Sequence, residues 1–416
     1  MLQELQFTSL IFNSRKQVLT GVDTTGDFLI KIEIDKNKNK QNNISQEYEI
    51  LNSLNKKGCK TCATVYEHGQ VNTEFIESLV SEEDMQIVVR SNKQLFGYII
   101  QEFLPHSDDY SFADVVLSVL EQKNLGFYQG DIKPDNIRFN PEDGICYIID
   151  YDQAIVLGDE IQNFDNKSFF NFCDDQDRKR YGFGNWLRHF PKVTKDKFKD
   201  LFTNDSFDLS KTTIFNRQVT TNTVNGIYHT ISERDIFIDG SRTVEVRSVA
   251  LDNLEFQDNE TVLDVGCNSG LLSMYLHGRG CKVTGSDIDK YIVSACSIIS
   301  NILRKDIQFE CYDLDCVDEI PRYDTVMLFS VLHHTKDPVS NAKKIAKSCS
   351  RVIIETRMME RGKQPINGKW VDTSAWLFED VNKLTNFLTD IFDGFVLNKN
   401  VGNVDKNRFI FELVKK

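Results

Sequence analysis

From Glu260 onward the chain alternates strand-like apolar runs with helical ones, and that alternation constrains its fold more than any other feature. ETVLDVG (260–266), CKVTGSDI (281–288), IQFECYD (307–313), YDTVMLFS (323–330) and RVIIE (351–355) read as strands. LLSMYLHG, YIVSACSIISNIL and NAKKIAK read as helices between them. Strand, helix, strand, repeated, predicts a doubly wound parallel sheet covered by helices on both faces.

The first half is patterned differently. QVLTGVD, the turn TTG and DFLIKIEI predict a hairpin. A polar loop follows, and then ISQEYEILNSLNKKG places Ile44, Tyr48, Leu51 and Leu54 at helical spacing with a glycine stop. TVYEHGQV and QLFGYIIQEFLP predict two more strands. SFADVVLSVLEQKNLG predicts an amphipathic helix with Phe112, Val115, Val116, Val119 and Leu120 on one face, and ICYIID a further strand. At 416 residues the chain is too long for one ordinary core. The expected division is a domain over 1–205, a linker over 206–218 and a second domain over 219–416 with an N-terminal lid.

Two constellations carry chemistry. In the first half, QGDIKPDNIRF followed by ICYIIDYD supplies Asp131, Lys133, Asn136 and Asp150 in one order. Phosphoryl transfer needs a carboxylate to orient the attacking hydroxyl, and amide and carboxylate oxygens to hold Mg²⁺ against ATP phosphates. Lys31 lies on the strand face opposite Phe28, Ile30, Ile32 and Ile34. Glu47 shares the apolar face of the following helix, where a carboxylate is costly unless paired, and Lys31 is its natural partner.

In the second half, VLDVGCNSG sets Asp264, Gly266 and Gly270 at the end of the first strand, where glycines let backbone approach a nucleotide-like ligand. The next strand ends at Asp287, about 20 residues on, where a carboxylate can take both ribose hydroxyls. Asp313 ends the third strand and can meet an adenine amino group. The glycine spacing does not fit the G-x-G-x-x-G turn that a nicotinamide dehydrogenase requires. His333 and His334 follow the fourth strand, either as a base or as residues that shape the loop. GIYHTISERDIFIDGSRTVEVRSVAL concentrates Tyr228, His229, Arg242 and Arg247 ahead of the sheet, read either as a substrate grip for an anion or as a solvated lid.

The first set resembles the protein-kinase-like superfamily, nearer the compact kinases of sugars, lipopolysaccharide and small molecules. The resemblance implies an α+β bilobal fold, with Asp131 as catalytic base and Lys133 steadying the transferred phosphate. It also implies Lys31 and Glu47 at the ATP phosphates, and Asn136 and Asp150 as magnesium ligands. Gln129 stands where that family often has histidine, Asp-Tyr-Asp replaces its usual metal triplet, and no G-x-G-x-x-G loop is present. The second set resembles the class I S-adenosylmethionine-dependent methyltransferases, a Rossmann-like α/β fold. It implies that Asp264, Gly266, Gly270, Asp287 and Asp313 bind the cofactor. Together, and with the upstream GSRTVEVR, the two modules resemble bifunctional kinase–methyltransferases that terminate O-antigen polysaccharides, with the domain order reversed. ATP-dependent phosphorylation of a sugar or glycan hydroxyl, then methylation of the new phosphate, is the implied activity. The alternative is a methyltransferase of another substrate joined to a pseudokinase scaffold or an independent kinase.

Bulk properties bound the partners. A net charge of −13 speaks against a broad nucleic-acid footprint. No apolar run approaches the roughly 18–20 residues of a membrane span, and the N-terminus lacks a signal-peptide pattern, so a cytoplasmic location, at most peripheral to a membrane, is expected. Ten cysteines form no framework. Cys59 and Cys62 are a lone pair without the second pair a zinc site requires, so reduced thiols are expected.

Overall fold

The computed structural model describes residues 1–13, 17–34, 44–91, 93–105, 107, 109–180, 190, 192–216, 229–233, 235–240, 243, 245–360, 376–378, 380–405 and 408–416. The chain forms two units. One comprises Met1–Arg217 with Ser232–Phe237 and Asn301–Arg304; the other comprises Gln218–Ile231, Ile238–Ser300 and Lys305–Lys416.

The N-terminal unit begins with an antiparallel five-stranded sheet. Its spatial order is Ile11–Asn13, Val18–Val22, Phe28–Glu33, Leu95–Glu102, Val65–Asn72. The hairpin between the second and third strands closes because Asp23 accepts the backbone N–H groups of Thr25, Asp27 and Phe28 at 3.1, 3.0 and 2.9 Å. Alternation does the rest: Leu19, Ile30, Ile32, Phe96 and Ile100 point to one core. Lys31 points the other way, toward the helix Ile44–Lys56. Farther along, the helix Phe112–Asn124, started by a capping box between Ser111 and Asp114, packs against the strands Phe127–Tyr128 and Ile145–Ile148. It is buried around its whole circumference rather than on one face. Two short ladders follow, and Ile137–Asn140 paired with Ile145–Ile148 carries the chain past Asn136 and on to Asp150.

Residues 206–218, expected as a linker, carry structure of this unit as far as Asn216. Ser206–Asp208 is a strand with Phe207 buried, and Thr213–Asn216 is a helical turn. Thr213 donates from its backbone N–H and its hydroxyl to the buried Asp114 carboxylate, at 2.6 and 2.7 Å. A buried carboxylate needs such donors, and these supply them from 99 residues away.

The C-terminal unit is the doubly wound sheet. Its order runs Gln308–Cys311, Lys282–Asp287, Thr261–Val265, Thr325–Phe329, Arg351–Glu360, Arg408–Lys415, Phe395–Asp405, with Trp376–Phe378 pairing beside Arg351–Glu360. The first five strands are parallel, and Arg408–Lys415 is antiparallel to both its neighbours. Strand order reverses beside Thr261–Val265, which makes the carboxyl end of that strand the topological switch point, where open α/β sheets bind ligands. Val326, Leu328, Val352, Ile354 and Leu413 pack against Leu384 and Leu388 of the helix Val381–Ile391.

Candidate functional site

The switch point of the C-terminal unit is built from a turn that only glycine fits. Gly266 has φ +69°, and a Cβ there would lie 2.3 Å from Val331 Cγ2. Gly270 has φ +70°, and its Cβ would meet Phe309 at 2.9 Å. Between them Asn268 also takes positive φ, 48°. Its backbone N–H donates to Asp287 Oδ2 at 3.1 Å, while the N–H of Asp289 donates to Oδ1 at 3.1 Å. The carboxylate is thereby fixed against the turn, at the end of the neighbouring strand. Burial raises its pKa above the ordinary range, against the pull of those two N–H groups.

Asp264 lies one layer below. It is buried, and Ser273 Oγ donates to it at 2.5 Å. Burial pushes its pKa up to about 7 despite that bond, and the charge of Asp287 adds to the rise. Asp313 follows the third strand two residues beyond Cys311, which pairs in register with Asp287. It is half-buried and accepts from the Cys316 thiol at 3.0 Å and from the N–H of Asp315 at 2.9 Å, which hold its pKa low.

The remaining predicted residues fall as follows. His333 and His334 form a 3-10 turn directly after Val331, the residue that faces Gly266, with ring centroids 4.4 Å apart. His229 is buried, and its Nδ1 lies 3.0 Å from the Ser269 hydroxyl, so it touches the glycine turn itself. Arg247 does not stand open to an anion. Its Nε and Nη2 reach Glu355 at 2.7 and 3.1 Å in a bidentate pair. Tyr228 and Arg242 lie outside the described residues.

Three residues here were not singled out from sequence: Ser330, Glu355 and Arg408. Glu355 closes the apolar run RVIIE, and Arg408 opens the apolar strand RFIFELV. A charge bordering a buried strand is the signal that would have found them. Glu355 accepts from Arg247, from Ser330 Oγ at 2.5 Å and from Arg408 Nη1 at 3.2 Å. Burial pushes its pKa up, but Arg247, Ser330 and Arg408 outweigh burial and hold the carboxyl below its usual range.

Residues 242–387 match a family model described as a methyltransferase domain. Those residues form a class I S-adenosylmethionine-dependent methyltransferase domain. The chain is 30% identical over 93 residues to a ubiquinone biosynthesis O-methyltransferase of Coxiella burnetii (strain RSA 493 / Nine Mile phase I), covering 22% of this chain and 38% of that protein. It is 31% identical over 111 residues to a tRNA U34 carboxymethyltransferase of Nautilia profundicola, covering 25% of this chain and 36% of that one. The chain thus spans less than two fifths of the length of these curated relatives. Among solved structures, a magnesium protoporphyrin IX methyltransferase from Synechocystis with bound SAH is 24% identical, with a TM-score of 0.34 over 41% of this chain and 82% of that one. The methyltransferase domain's glycine turn is a cradle that any Cβ would fill, with a carboxylate fixed beside it; these features fit an adenosine ligand.

The N-terminal unit gathers a second polar cluster. Lys31 Nζ lies 2.6 Å from Glu47 Oε1 and 3.8 Å from Asp150 Oδ1, with Lys31 and Glu47 mostly shielded from solvent. Lys133 Nζ lies 2.5 Å from Asp131 Oδ2. Asn136 Nδ2 donates to the Asp131 backbone oxygen at 2.8 Å and to its Oδ2 at 3.1 Å. Gln129 ties the two halves together: its Oε1 accepts from the N–H of Asp131, and its Nε2 donates to the carbonyls of Ile149 and Asp150. Asp150 takes a left-handed conformation, φ 68° and ψ 72°, of the kind that persists where surroundings enforce it. Asn136 spends its NH₂ on Asp131, and among the described residues its amide oxygen has no hydrogen-bond donor. With the Asp150 carboxylate that gives hard oxygen donors, which suit Mg²⁺. Among the described residues no three His, Cys, Asp or Glu side chains converge on a point. Cys59 and Cys62 are buried free thiols.

Among the described residues no helix is long and apolar enough to cross a membrane.

Proposed function

We propose that the methyltransferase domain transfers a methyl group from S-adenosylmethionine to an acceptor oxygen. One observation carries this reading: the glycine turn and Asp287 are joined through the Asn268 N–H, so a ligand lying on the turn meets a pre-positioned carboxylate. Asp287 would take the ribose hydroxyls, Gly266 and Gly270 the close approach of the amino-acid portion, and Asp313 the adenine edge. The bound cofactor supplies an electrophilic methyl on sulfonium; the chain's part is to position it and exclude water. Asp287→Ala removes the acceptor of two charge-assisted hydrogen bonds. Calorimetry should show S-adenosylhomocysteine affinity reduced by about 2–4 kcal/mol, with ATP affinity unchanged. Binding of NAD in place of S-adenosylhomocysteine by the unaltered chain would overturn the reading.

A second reading, for the N-terminal unit, is phosphoryl transfer from ATP to a hydroxyl. The cluster around Asp131 and Asp150 favours it. Asp131 would orient the hydroxyl, Lys133 would steady the transferred phosphate, and Lys31 paired with Glu47 would face the ATP phosphates. Asn136 and Asp150 would hold Mg²⁺, whose charge offsets that of the phosphates. On this reading the two transfers act on one sugar or glycan acceptor, phosphate first and methyl second, in the making of a surface polysaccharide. The chemistry is coherent, since a phosphomonoester is largely dianionic at neutral pH and needs no base to accept a methyl group. A scaffold without phosphotransfer is the competing role for this unit. ATP-dependent phosphorylation of a glycan acceptor with and without Mg²⁺ separates them.

A further inference from the structure

We propose that Arg408 holds an oxyanion of the methyl acceptor, a phosphomonoester or a carboxylate, at the carboxyl edge of the methyltransferase sheet. The proposal rests on the methyltransferase reading above. It begins with charge. Arg247 alone answers Glu355 in full, with two parallel N–H bonds at 2.7 and 3.1 Å. Arg408 brings a second guanidinium to the same carboxylate, 3.2 Å away. Two guanidinium groups thus share the one Glu355 carboxylate. Only 12% of the Arg408 side chain and none of the Glu355 side chain is exposed to solvent. A guanidinium so shielded from water, sharing its carboxylate with a second one, favours a further anionic partner.

Geometry says which arginine is available. Arg408 uses Nη1 alone within the cluster, donating to Ser330 Oγ and Glu355 Oε1. Its Nε and Nη2 have no acceptor among the described residues, and together they form the fork that grips a carboxylate or phosphate. Arg247, by contrast, commits Nε and Nη2 to Glu355. The anion-gripping part expected of Arg247 therefore passes to Arg408, and Arg247 becomes the residue that fixes Glu355.

Position says what would be gripped. Ser330 directly follows the strand Thr325–Phe329, Glu355 stands opposite the last residue of that strand in the adjacent parallel one, and the Ser330 N–H donates to the Glu355 carbonyl at 2.9 Å. Gly266 departs from the same edge, and its site is walled by Val331, the residue after Ser330. Ser330 itself is held at φ +59°, a strained conformation for a side-chain-bearing residue and one that clusters at ligand sites. Arg408 Nη1 thus touches the residue that precedes Val331, the wall of the glycine turn.

The test titrates methyl phosphate, and separately acetate, into protein saturated with S-adenosylhomocysteine, followed by NMR of the small anion. The unaltered chain should bind one of them, and the tighter of the two identifies the oxyanion. Arg408→Met should weaken that binding about tenfold or more, and Arg408→Lys by less, because a point charge replaces the fork. The Arg408→Met variant should fold, since Arg247 still neutralises Glu355, and its S-adenosylhomocysteine affinity should not change. Glu355→Gln raises the net charge of the cluster and should tighten anion binding, a sign that a merely structural cluster would not give. Undiminished anion binding by Arg408→Met would overturn the proposal, as would an unaltered chain that binds S-adenosylhomocysteine but neither anion. So would loss of S-adenosylhomocysteine affinity with 5′-methylthioadenosine affinity kept, because Arg408 would then hold the cofactor's own carboxylate. Failure of the unaltered chain to bind S-adenosylhomocysteine at all would instead defeat the methyltransferase reading.

Discussion

Asp264 shows how a single residue can be legible in kind and illegible in state. Its place ahead of the glycine turn is written in DVGCNSG. That it is fully buried, with Ser273 as its hydroxyl donor, follows only from the packed sheet. The consequence is a pH dependence. Burial lifts its folded pKa to about 7 from the ordinary 3.8 of an aspartate, so between those values the folded state holds a proton that the unfolded state has lost. Stability contributed by this group therefore falls as pH rises from about 4 to about 7, by at most about 4 kcal/mol. Asp287, whose pKa burial also raises above the ordinary carboxylate range, acts in the same sense. Asp264→Asn should flatten that part of the profile. Urea midpoints of the ligand-free chain measured across that range should show a slope in the parent and a smaller one in the variant. Equal slopes would mean that Asp264 ionises as freely in the folded chain as in the unfolded one. The same lesson applies to Arg247. Sequence identified a cation near the sheet, but not the carboxylate 108 positions later that already holds it.

At the scale of elements, hydrophobic periodicity found the strands and helices and failed where polar side chains are buried in pairs. The helix Phe112–Asn124 reads as amphipathic because Asp114, Glu121, Gln122 and Lys123 interrupt its apolar residues. All four are buried. Glu121 accepts the N–H groups of Lys60 and Thr61, and Lys123 donates to the Phe164 carbonyl at 2.6 Å. Periodicity counts such residues as solvent-facing because it carries no information about distant partners. Residues 206–218 read as a linker for a related reason: their ties run to distant residues, Thr213 to Asp114 and Phe207 to Ile236. Asp114→Ala removes the capping box and both bonds from Thr213, and should cost about 2–4 kcal/mol in chemical denaturation of the N-terminal unit. A change under about 0.5 kcal/mol would show that this closure contributes little. The glycine turn gives the converse case, where the element was legible and its wall was not. Gly266→Ala places a methyl group against Val331 and forces φ +69° on alanine, so S-adenosylhomocysteine binding should be lost. Adding Val331→Ala relieves the clash but not the backbone, and should restore binding only in part. Full recovery in a binding titration would show that sterics alone, and not the left-handed conformation, demand glycine there.

At the scale of the whole molecule, the proposed reactions make an order inescapable if they share an acceptor. The methyltransferase domain offers two histidines on the loop after the fourth strand, but an acceptor that arrives as a phosphomonoester, with a second pKa near 6, needs neither as a base at neutral pH. A sugar hydroxyl is a far weaker nucleophile under the same conditions. On the proposed shared acceptor, phosphorylation would precede methylation, and the product of one unit would be the substrate of the other. Asp131→Asn separates the steps. It removes the carboxylate proposed to orient the hydroxyl yet leaves Asn136 and Asp150 in place, so on that proposal ATP should still bind with Mg²⁺ while phosphoryl transfer falls by about two orders of magnitude or more, on the order expected for a lost general base. Incubated with an unphosphorylated glycan, ATP and radiolabelled S-adenosylmethionine, that variant should incorporate almost no methyl. Given an acceptor already bearing the phosphate, it should methylate at the parent rate, because nothing in the methyltransferase domain has changed. Phosphatase treatment of that acceptor should abolish the reaction again. Methylation of the bare glycan by the Asp131→Asn variant at the parent rate would break the sequence and leave two separate activities on one chain.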